Sequence, residues 1–226
     1  MSFFARRRQI LIGLCASPSL VSVPSVLAQA SAEPREGVDY KVLLNPQPTD
    51  PPGKIEVLDF FWYGCPHCYA FLPDLEAWRK KLPSDVAYKH VAVDFGDPAR
   101  EAHTRIFYTL QVLNRVDDLH VKVFAAYHDK RQRLLDRDEI ADFMASNGIS
   151  RDKWLAAYDS FSVAGAVNRA RLTTQAYTID GTPTLACDGR FLTAPSMVQS
   201  HTNSGTLAVM DYLLERVRRE RARKKA

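Results

Sequence analysis

One stretch of this 226-residue chain decides its fold: IEVLDFFWYGCPHC, residues 55–68. Residues 55–63 are apolar on both alternating faces, which is typical of a strand buried in the middle of a sheet. A helical pattern follows at residues 65–82, and Pro73 in its interior predicts a kink. The two cysteines of the stretch therefore lie where a buried strand meets the start of a helix.

The position of Cys65 and Cys68 predicts a dithiol redox centre. Their spacing lets a small disulfide ring close with little backbone movement, and the backbone N–H groups at the helix start favour a thiolate on Cys65. Half of a zinc site and a pair of inert buried cysteines are the alternatives. A zinc site of four cysteines needs a second close pair, but the chain has only Cys15 and Cys187 elsewhere. We expect no metal, and no cofactor beyond the Cys65–Cys68 disulfide.

Residues 1–28 have the features of an export signal peptide. Three arginines at residues 6–8 precede an apolar stretch, and residues 26–28 offer small side chains at a cleavage site. Prolines and serines make this stretch too broken for a stable membrane span, although an anchor that stays attached is the alternative. We expect the mature protein to be exported to an oxidising compartment.

Cys15 should leave with the signal peptide. Leu14 before it is too bulky for the cleavage site of a lipoprotein, and Arg7 and Arg8 leave the twin-arginine route open beside the general one. A chain exported to an oxidising compartment with only one close cysteine pair is predicted to carry a catalytic disulfide, not a structural framework.

The rest of the chain contains strand and helix patterns in a defined order. Hydrophobic residues make up 46% and charged residues 25% of the sequence, which suits a folded domain rather than disorder. Asp136 and Ser150 are expected to be helix N-caps. The sequence predicts a strand at 87–95, helices over 97–177, a hairpin of 184–187 with 190–193 turning at Asp188-Gly189, and a helix at 206–219.

The C-terminal end is strongly basic, with 7 basic and 2 acidic residues at 215–226. Such a run could bind anionic lipid or nucleic acid. A frayed, solvated helix end is the interpretation we favour, so we expect no nucleic acid among the partners.

The order of these elements resembles the DsbA family, the periplasmic thiol oxidants of Gram-negative bacteria. The resemblance covers about residues 38–222, and its specific part is Asp59 six residues before Cys65, the CPHC motif at 65–68, and Gly181-Thr182-Pro183. It implies an α/β, thioredoxin-like fold at 38–96 and 174–222, interrupted by an all-helical domain at 97–173. Asp59 stands where that family usually has Glu.

The resemblance implies a role for each matching residue. Cys65 is the exposed nucleophile, Cys68 is its buried partner, and His67 favours the reduced state by stabilising the Cys65 thiolate. Asp59 is buried, where a carboxylate needs neutralisation or a partner, and it could shuttle a proton for Cys68. Lys89 on the neighbouring strand is a possible partner for it.

The residues expected to bind substrate are Pro66, Thr182 and Pro183. Thr182-Pro183 resembles the cis-proline loop of the family, which lies opposite the cysteines and presents the backbone of Thr182 to an extended peptide. Pro73 resembles the thioredoxins instead. Cys187 is an additional thiol with no assigned role, and inert packing is expected for it.

The function implied is that of a monomeric dithiol oxidase. It would donate the Cys65–Cys68 disulfide to reduced, newly exported proteins that contain cysteines, and a DsbB-like membrane quinone reductase would reoxidise it. A reductase or isomerase of the same fold is one alternative, although such isomerases usually need an added dimerisation domain. A peptide-binding, chaperone-like module whose cysteines matter little is the alternative from another class.

Overall fold

The structure, a computed structural model, describes residues 33–224. The expected signal peptide at residues 1–28, and Cys15 within it, lie outside the described residues. Lys225 of the basic end lies outside them as well.

The described residues form a mixed sheet of five strands. These are β1 Lys41–Val42, β2 Ile55–Phe61, β3 Val86–Ala92, β4 Thr184–Cys187 and β5 Phe191–Thr193. Their order across the sheet is β1-β5-β4-β2-β3. Strand β2 lies between two neighbours, parallel to β3 and antiparallel to β4, and all seven of its residues are buried. The prediction of a central buried strand is confirmed.

Seven helices of the described residues surround this sheet. They are α1 Pro66–Arg79, α2 Pro98–Val112, α3 Val116–His128, α4 Arg137–Ser146, α5 Arg151–Tyr158, α6 Phe161–Ala176 and α7 Asn203–Arg223. The predicted helical stretch is present as α2 to α6, between β3 and β4. The sheet and its helices make the thioredoxin-like fold with helices inserted between strands, as expected. The division into domains at 38–96 with 174–222 and at 97–173 stays a prediction.

The two faces of β2 are buried in different hydrophobic clusters. Ile55 and Val57 pack with Phe71 of α1 and with apolar residues of α7. Leu58 and Phe60 belong to the second cluster, which contains most of the buried side chains of α2 to α6. Burial on both faces explains why β2 has no polar face, and it makes any ionisable group on this strand costly unless it has a partner.

Both predicted N-cap residues stand at helix starts, but only one of them makes capping hydrogen bonds. Asp136 caps α4 by accepting hydrogen bonds from the backbone N–H groups of Asp138 and Glu139. Ser150 stands at the N-cap of α5, but its side chain makes no capping hydrogen bond. Pro73 lies inside α1 as expected.

The hairpin of β4 and β5 brings the segment after Pro183 beside β2. Asp188 and Gly189 both have a positive φ, 54° and 65°, which suits the predicted turn. A Cβ on Gly189 would lie 2.1 Å from the carbonyl oxygen of Gln47, so a larger residue would clash with the backbone there. The turn pairs β4 with β5, where Cys187 is opposite Phe191, and β4 pairs in turn with β2, where Val57 is opposite Cys187.

The expectation of a frayed basic end is wrong for the described part of α7. The guanidinium group of Arg218 binds both carboxylate oxygens of Asp85, at 2.7 and 2.9 Å. Arg221 pairs with Asp188 at 2.6 Å. These acidic partners lie far away in sequence, so the charge run could not reveal that they bind the helix to the sheet.

Candidate active site

Cys65 and Cys68 lie at the start of α1, directly after the central strand. Cys65 is the N-cap residue, and its sulfur accepts a hydrogen bond from the backbone N–H of Cys68 at 3.3 Å. Pro66 occupies the first helical turn, where a missing N–H removes no hydrogen bond. The sulfur of Cys65 thus caps the helix, and the N-terminal end of α1 favours a negative charge on it.

The expectation that Cys65 is exposed is wrong, because it is almost as buried as its partner. The relative exposure is 6% for Cys65 and 4% for Cys68. The loop before β4 approaches from the other side, and the Cys65 sulfur lies 3.2 Å from the backbone oxygen of Thr182, to which the protonated thiol donates. The exposed residues of the motif are Pro66 and His67.

The two sulfurs differ in acidity. Hydrogen bonds lower the pKa of Cys65 from its ordinary value of 9.0 to about 5, the largest effect coming from the Cys68 thiol, with smaller ones from Thr182 and from the backbone N–H groups of Cys68 and His67. Burial raises the pKa of Cys68 well above its ordinary value, and the neighbouring Cys65 raises it further. At neutral pH the pair therefore carries one thiolate, on Cys65, and one proton, on Cys68.

His67 contributes to this site through its backbone. Its N–H group is among the groups that lower the pKa of Cys65. Its imidazole is exposed and borders a cavity of about 370 Å³. The expected stabilisation of the thiolate by the imidazole of His67 stays a prediction.

The Thr182–Pro183 peptide bond is cis. Both residues line the same 370 Å³ cavity as His67, together with Met197 and Asn203 at the start of α7. The structure therefore brings the two segments expected to bind substrate, the start of α1 and the loop before β4, to one edge of the sheet, beside the cysteines.

Asp59 lies beneath the cysteines, in the middle of β2, and is 2% exposed. Its Oδ2 atom accepts hydrogen bonds from the Tyr88 hydroxyl at 3.1 Å and from Nδ1 of His90 at 2.9 Å. The prediction that Lys89 is the partner of Asp59 is wrong. Strand register places His90 opposite Asp59, so Lys89 points to the other face of the sheet and pairs with Glu56 at 2.9 Å.

A small cavity of about 10 Å³ separates Asp59 from Cys68, and Pro183 and His120 also line it. Its size is at the lower limit for one water molecule, roughly 10–15 Å³. The second carboxylate oxygen of Asp59, Oδ1, is buried and has no hydrogen-bond partner. Asp59 and His120 are thus the ionisable side chains that share this small cavity with Cys68.

The sequence missed His90 and Tyr88 as parts of this site. No metal-ligand spacing connects His90 with other histidines, and the only signal for it is the alternation of β3, which places residues 88 and 90 on one face. Within residues 33–224, no group of three or more His, Cys, Asp or Glu side chains is arranged to hold a metal ion.

Cys187 lies apart from the site. It is fully buried in β4 as a free thiol, and burial raises its pKa to about 12. Such a thiol forms almost no thiolate at neutral pH and is unreactive.

Comparison with known proteins agrees with this arrangement. The model of the DSBA-like thioredoxin domain family matches residues 56–203. The chain belongs to that family. The Thiol:disulfide interchange protein DsbA of Burkholderia cepacia is 42% identical over 195 residues, which are 84% of this chain and 90% of the relative. The DsbA of Pseudomonas aeruginosa is 36% identical over 212 residues, 94% of this chain and 97% of the relative.

Solved structures of the same family agree with the fold. The crystal structure of Pseudomonas aeruginosa DsbA superposes with a TM-score of 0.78 at 37% identity, covering 85% of this chain and 97% of that one. The oxidoreductase DsbA from Xylella fastidiosa gives a TM-score of 0.75 at 31% identity, covering 82% of this chain and 98% of the other. As a member of the DSBA-like family, this chain is a thiol:disulfide oxidoreductase.

The slope of the reduction potential of the Cys65–Cys68 pair against pH should change near pH 5, because the pKa of Cys65 is about 5. Above this pH, reduction takes up one proton, on Cys68, and the potential should fall by about 30 mV per pH unit. Below it, reduction takes up two protons and the slope should be about 59 mV per pH unit. Redox titration against a reference dithiol over about pH 3 to 8 measures both slopes. A slope of about 59 mV per pH unit throughout would show that Cys65 is an ordinary thiol.

Proposed function

We propose that this protein is a periplasmic dithiol oxidase, which transfers the Cys65–Cys68 disulfide to reduced, newly exported proteins that contain cysteines. The observation that carries the proposal is the lowered pKa of Cys65, about 5, beside a partner whose pKa is raised. A stabilised thiolate favours the reduced state of the pair, and a pair that favours its reduced state is an oxidant.

The reaction proceeds in two exchanges. A substrate thiolate attacks the sulfur of Cys65, the bond between Cys65 and Cys68 breaks, and Cys68 leaves with two electrons as a thiolate. Since the pKa of Cys68 is raised, this thiolate takes up a proton. A second substrate thiolate then attacks the substrate sulfur of the mixed disulfide and releases Cys65, whose low pKa makes it a good leaving group. The substrate gains one disulfide, and the enzyme gains two electrons and one proton.

Asp59 is assigned as the group that exchanges this proton with Cys68. It lines the same small cavity as Cys68, and its Oδ1 atom is free of other hydrogen bonds. A buried carboxylate that can hold or release a proton at this place suits general acid–base catalysis, because Cys68 itself is closed off from solvent.

Pro66, Thr182 and Pro183 are assigned to substrate binding. Thr182 lies against the sulfur of Cys65, so a peptide that follows the backbone of Thr182 would bring its own cysteine to that sulfur. The 370 Å³ cavity beside His67 and Pro183 offers room for the flanking side chains. A backbone contact of this kind suits many substrate sequences, as an enzyme for exported proteins in general requires.

Reoxidation is assigned to a DsbB-like membrane quinone reductase, since each turnover leaves two electrons on the enzyme. No cofactor of its own is needed if the dithiol carries them to that partner. Within residues 33–224, no helix has both the length and the apolar character needed to cross a membrane. We expect a monomer that meets the partner from the periplasm.

The reductase alternative requires the opposite redox balance. It is disfavoured because a Cys65 thiolate with a pKa of about 5 is a weak attacking nucleophile and a good leaving group. The chaperone-like alternative would use the cavity beside His67 without any exchange at the cysteines.

The Cys65→Ser variant separates the oxidase from the chaperone-like module. The oxidised wild-type protein should form the disulfide of a synthetic peptide with two cysteines, whereas Cys65→Ser should leave only the background rate, because no disulfide can form in the enzyme. Cys187→Ala is the matched control and should keep the wild-type rate, since this buried thiol lies apart from the site. Mass spectrometry of the peptide follows the reaction, and equal rates for Cys65→Ser and wild type would refute the proposal.

The His67→Ala variant tests what the imidazole adds to the backbone. Loss of one charge-assisted interaction with the Cys65 thiolate should lower the reduction potential by about 30–60 mV. The pKa of Cys65 should rise at the same time. Equilibration with glutathione at pH 7 measures the potential, and an unchanged value would show that the start of α1 sets the redox balance without the imidazole.

A further inference from the structure

A line of buried polar side chains leads from Asp59 to the surface of α1. His90 stands next to Asp59, and its other ring nitrogen, Nε2, lies 3.9 Å from Oε1 of Glu76. Oε2 of Glu76 accepts a hydrogen bond from Arg79 at 2.8 Å. Side-chain exposure increases along this line, from 3% at Asp59 and 7% at His90 to 17% at Glu76 and 29% at Arg79.

Apolar side chains at these positions would stabilise the packing against the sheet better than this line of polar side chains does. Oε1 of Glu76 and Oδ1 of Asp59 are both buried without a hydrogen-bond partner, and unsatisfied buried polar atoms destabilise a fold. His90 lies between these two carboxylates and directs one ring nitrogen toward each. An imidazole in this position can accept a proton on one nitrogen and release one from the other.

The chemistry of the dithiol requires such a path. Cys68 gains one proton when the pair is reduced and loses it when the pair is reoxidised, because Cys65 is a thiolate in the reduced state. Asp59 can exchange this proton with Cys68 across the small cavity, but at 2% exposure Asp59 has no direct contact with bulk water. A second group that connects Asp59 with solvent would therefore speed this exchange.

We propose that His90 is the positioning and proton-relay residue of this site, connecting Asp59 with Glu76 at the surface of α1. The inference rests on the proposed function of the dithiol and names the residue that supports its proton exchange. When Cys68 loses its proton, Asp59 accepts it on Oδ1, Nδ1 of His90 keeps the proton that it donates to Oδ2, and Nε2 releases its proton to Glu76 as a small side-chain movement closes the 3.9 Å between them to hydrogen-bonding distance. When Cys68 gains a proton, the same transfers run in reverse. One proton enters when the pair is reduced and one leaves when it is reoxidised, so His90 and Asp59 return to their starting forms after a full turnover.

Other charged and titratable groups around His90 are few in the described part of the chain. Tyr88 on β3 donates to Asp59 and lies at right angles to the imidazole, with ring centroids 4.9 Å apart. Burial lowers the pKa of His120 on α3 well below its ordinary value, and the charge of His90 lowers it further. Nδ1 of His120 pairs with the Tyr63 hydroxyl at 2.9 Å. With Glu76 and Arg79 on α1, these are the charged and titratable groups that face the Asp59–His90 pair.

The His90→Asn variant tests the relay. Asparagine places an amide nitrogen near the position of Nδ1 and can still donate to Asp59, but it cannot pass a proton on. The reduced protein is mixed with oxidised glutathione, and acid quenching with mass spectrometry follows two steps, the attack of Cys65 and the displacement of glutathione by Cys68. The first step should stay within twofold of wild type, and the second should slow by at least about tenfold.

The pH profile separates a relay from a merely structural role. In His90→Asn the second step should depend on hydroxide from solvent and accelerate about tenfold per pH unit. The wild type should show a weaker dependence on pH, because the relay accepts the proton in place of hydroxide. His103→Gln is the matched control, since His103 is also a buried histidine with one hydrogen bond, to the backbone oxygen of Arg133. This control should keep the wild-type rate and profile in both steps.

A measurement on the wild type covers the case in which His90→Asn fails to fold. The rate of the second step is measured in mixtures of H2O and D2O. If two or more protons move together, a plot of this rate against the deuterium fraction of the solvent should be curved. A straight line, or a second step in His90→Asn with the wild-type rate and profile, would overturn the relay. A Cys65 that titrates as an ordinary thiol and attacks glutathione slowly would instead refute the proposed function.

Discussion

The hydrogen bond from the backbone N–H of Cys68 to the sulfur of Cys65 connects the fold with the chemistry. It exists because a buried strand delivers Cys65 to the N-cap of α1, where a helix offers unpaired N–H groups. The same bond stabilises a thiolate and starts the helix, so the reduced state gains a favourable interaction that a disulfide sulfur makes only weakly. Pro66 at the first turn and Thr182 on the opposite side fix the place of this sulfur.

Burial of the central strand imposes the second requirement of the site. A pair that holds one proton on Cys68 must exchange it inside a layer of apolar side chains. In the proposed mechanism Asp59 exchanges this proton at the centre of β2. The alternation of β3 puts His90 and Tyr88, rather than Lys89, against its carboxylate. In the proposed relay these partners let a proton move through the site, whereas a lysine there would stand beside the carboxylate as a fixed positive charge.

The sequence predicts what depends on local pattern. The central strand, the cysteine pair at the helix start, the helical stretch and the hairpin at Asp188-Gly189 were all readable from hydrophobic periodicity and turn residues. The partner of Asp59 was not, because a shift of one residue in the register of β3 exchanges Lys89 for His90. The burial of Cys65 and the binding of α7 by Asp85 depend on contacts more than a hundred residues apart in sequence.

Unfolding of the two redox states by heat at pH 7 tests the central claim most directly. Because the pKa of Cys65 is lower in the fold than its ordinary value of 9.0, unfolding of the reduced protein at pH 7 binds a proton, and the thiolate stabilises the fold. This stabilisation should disappear as the pH falls through about 5. The account predicts that the reduced protein melts at the higher temperature at pH 7, with the difference shrinking toward pH 5. A higher melting temperature for the oxidised protein at pH 7 would contradict it.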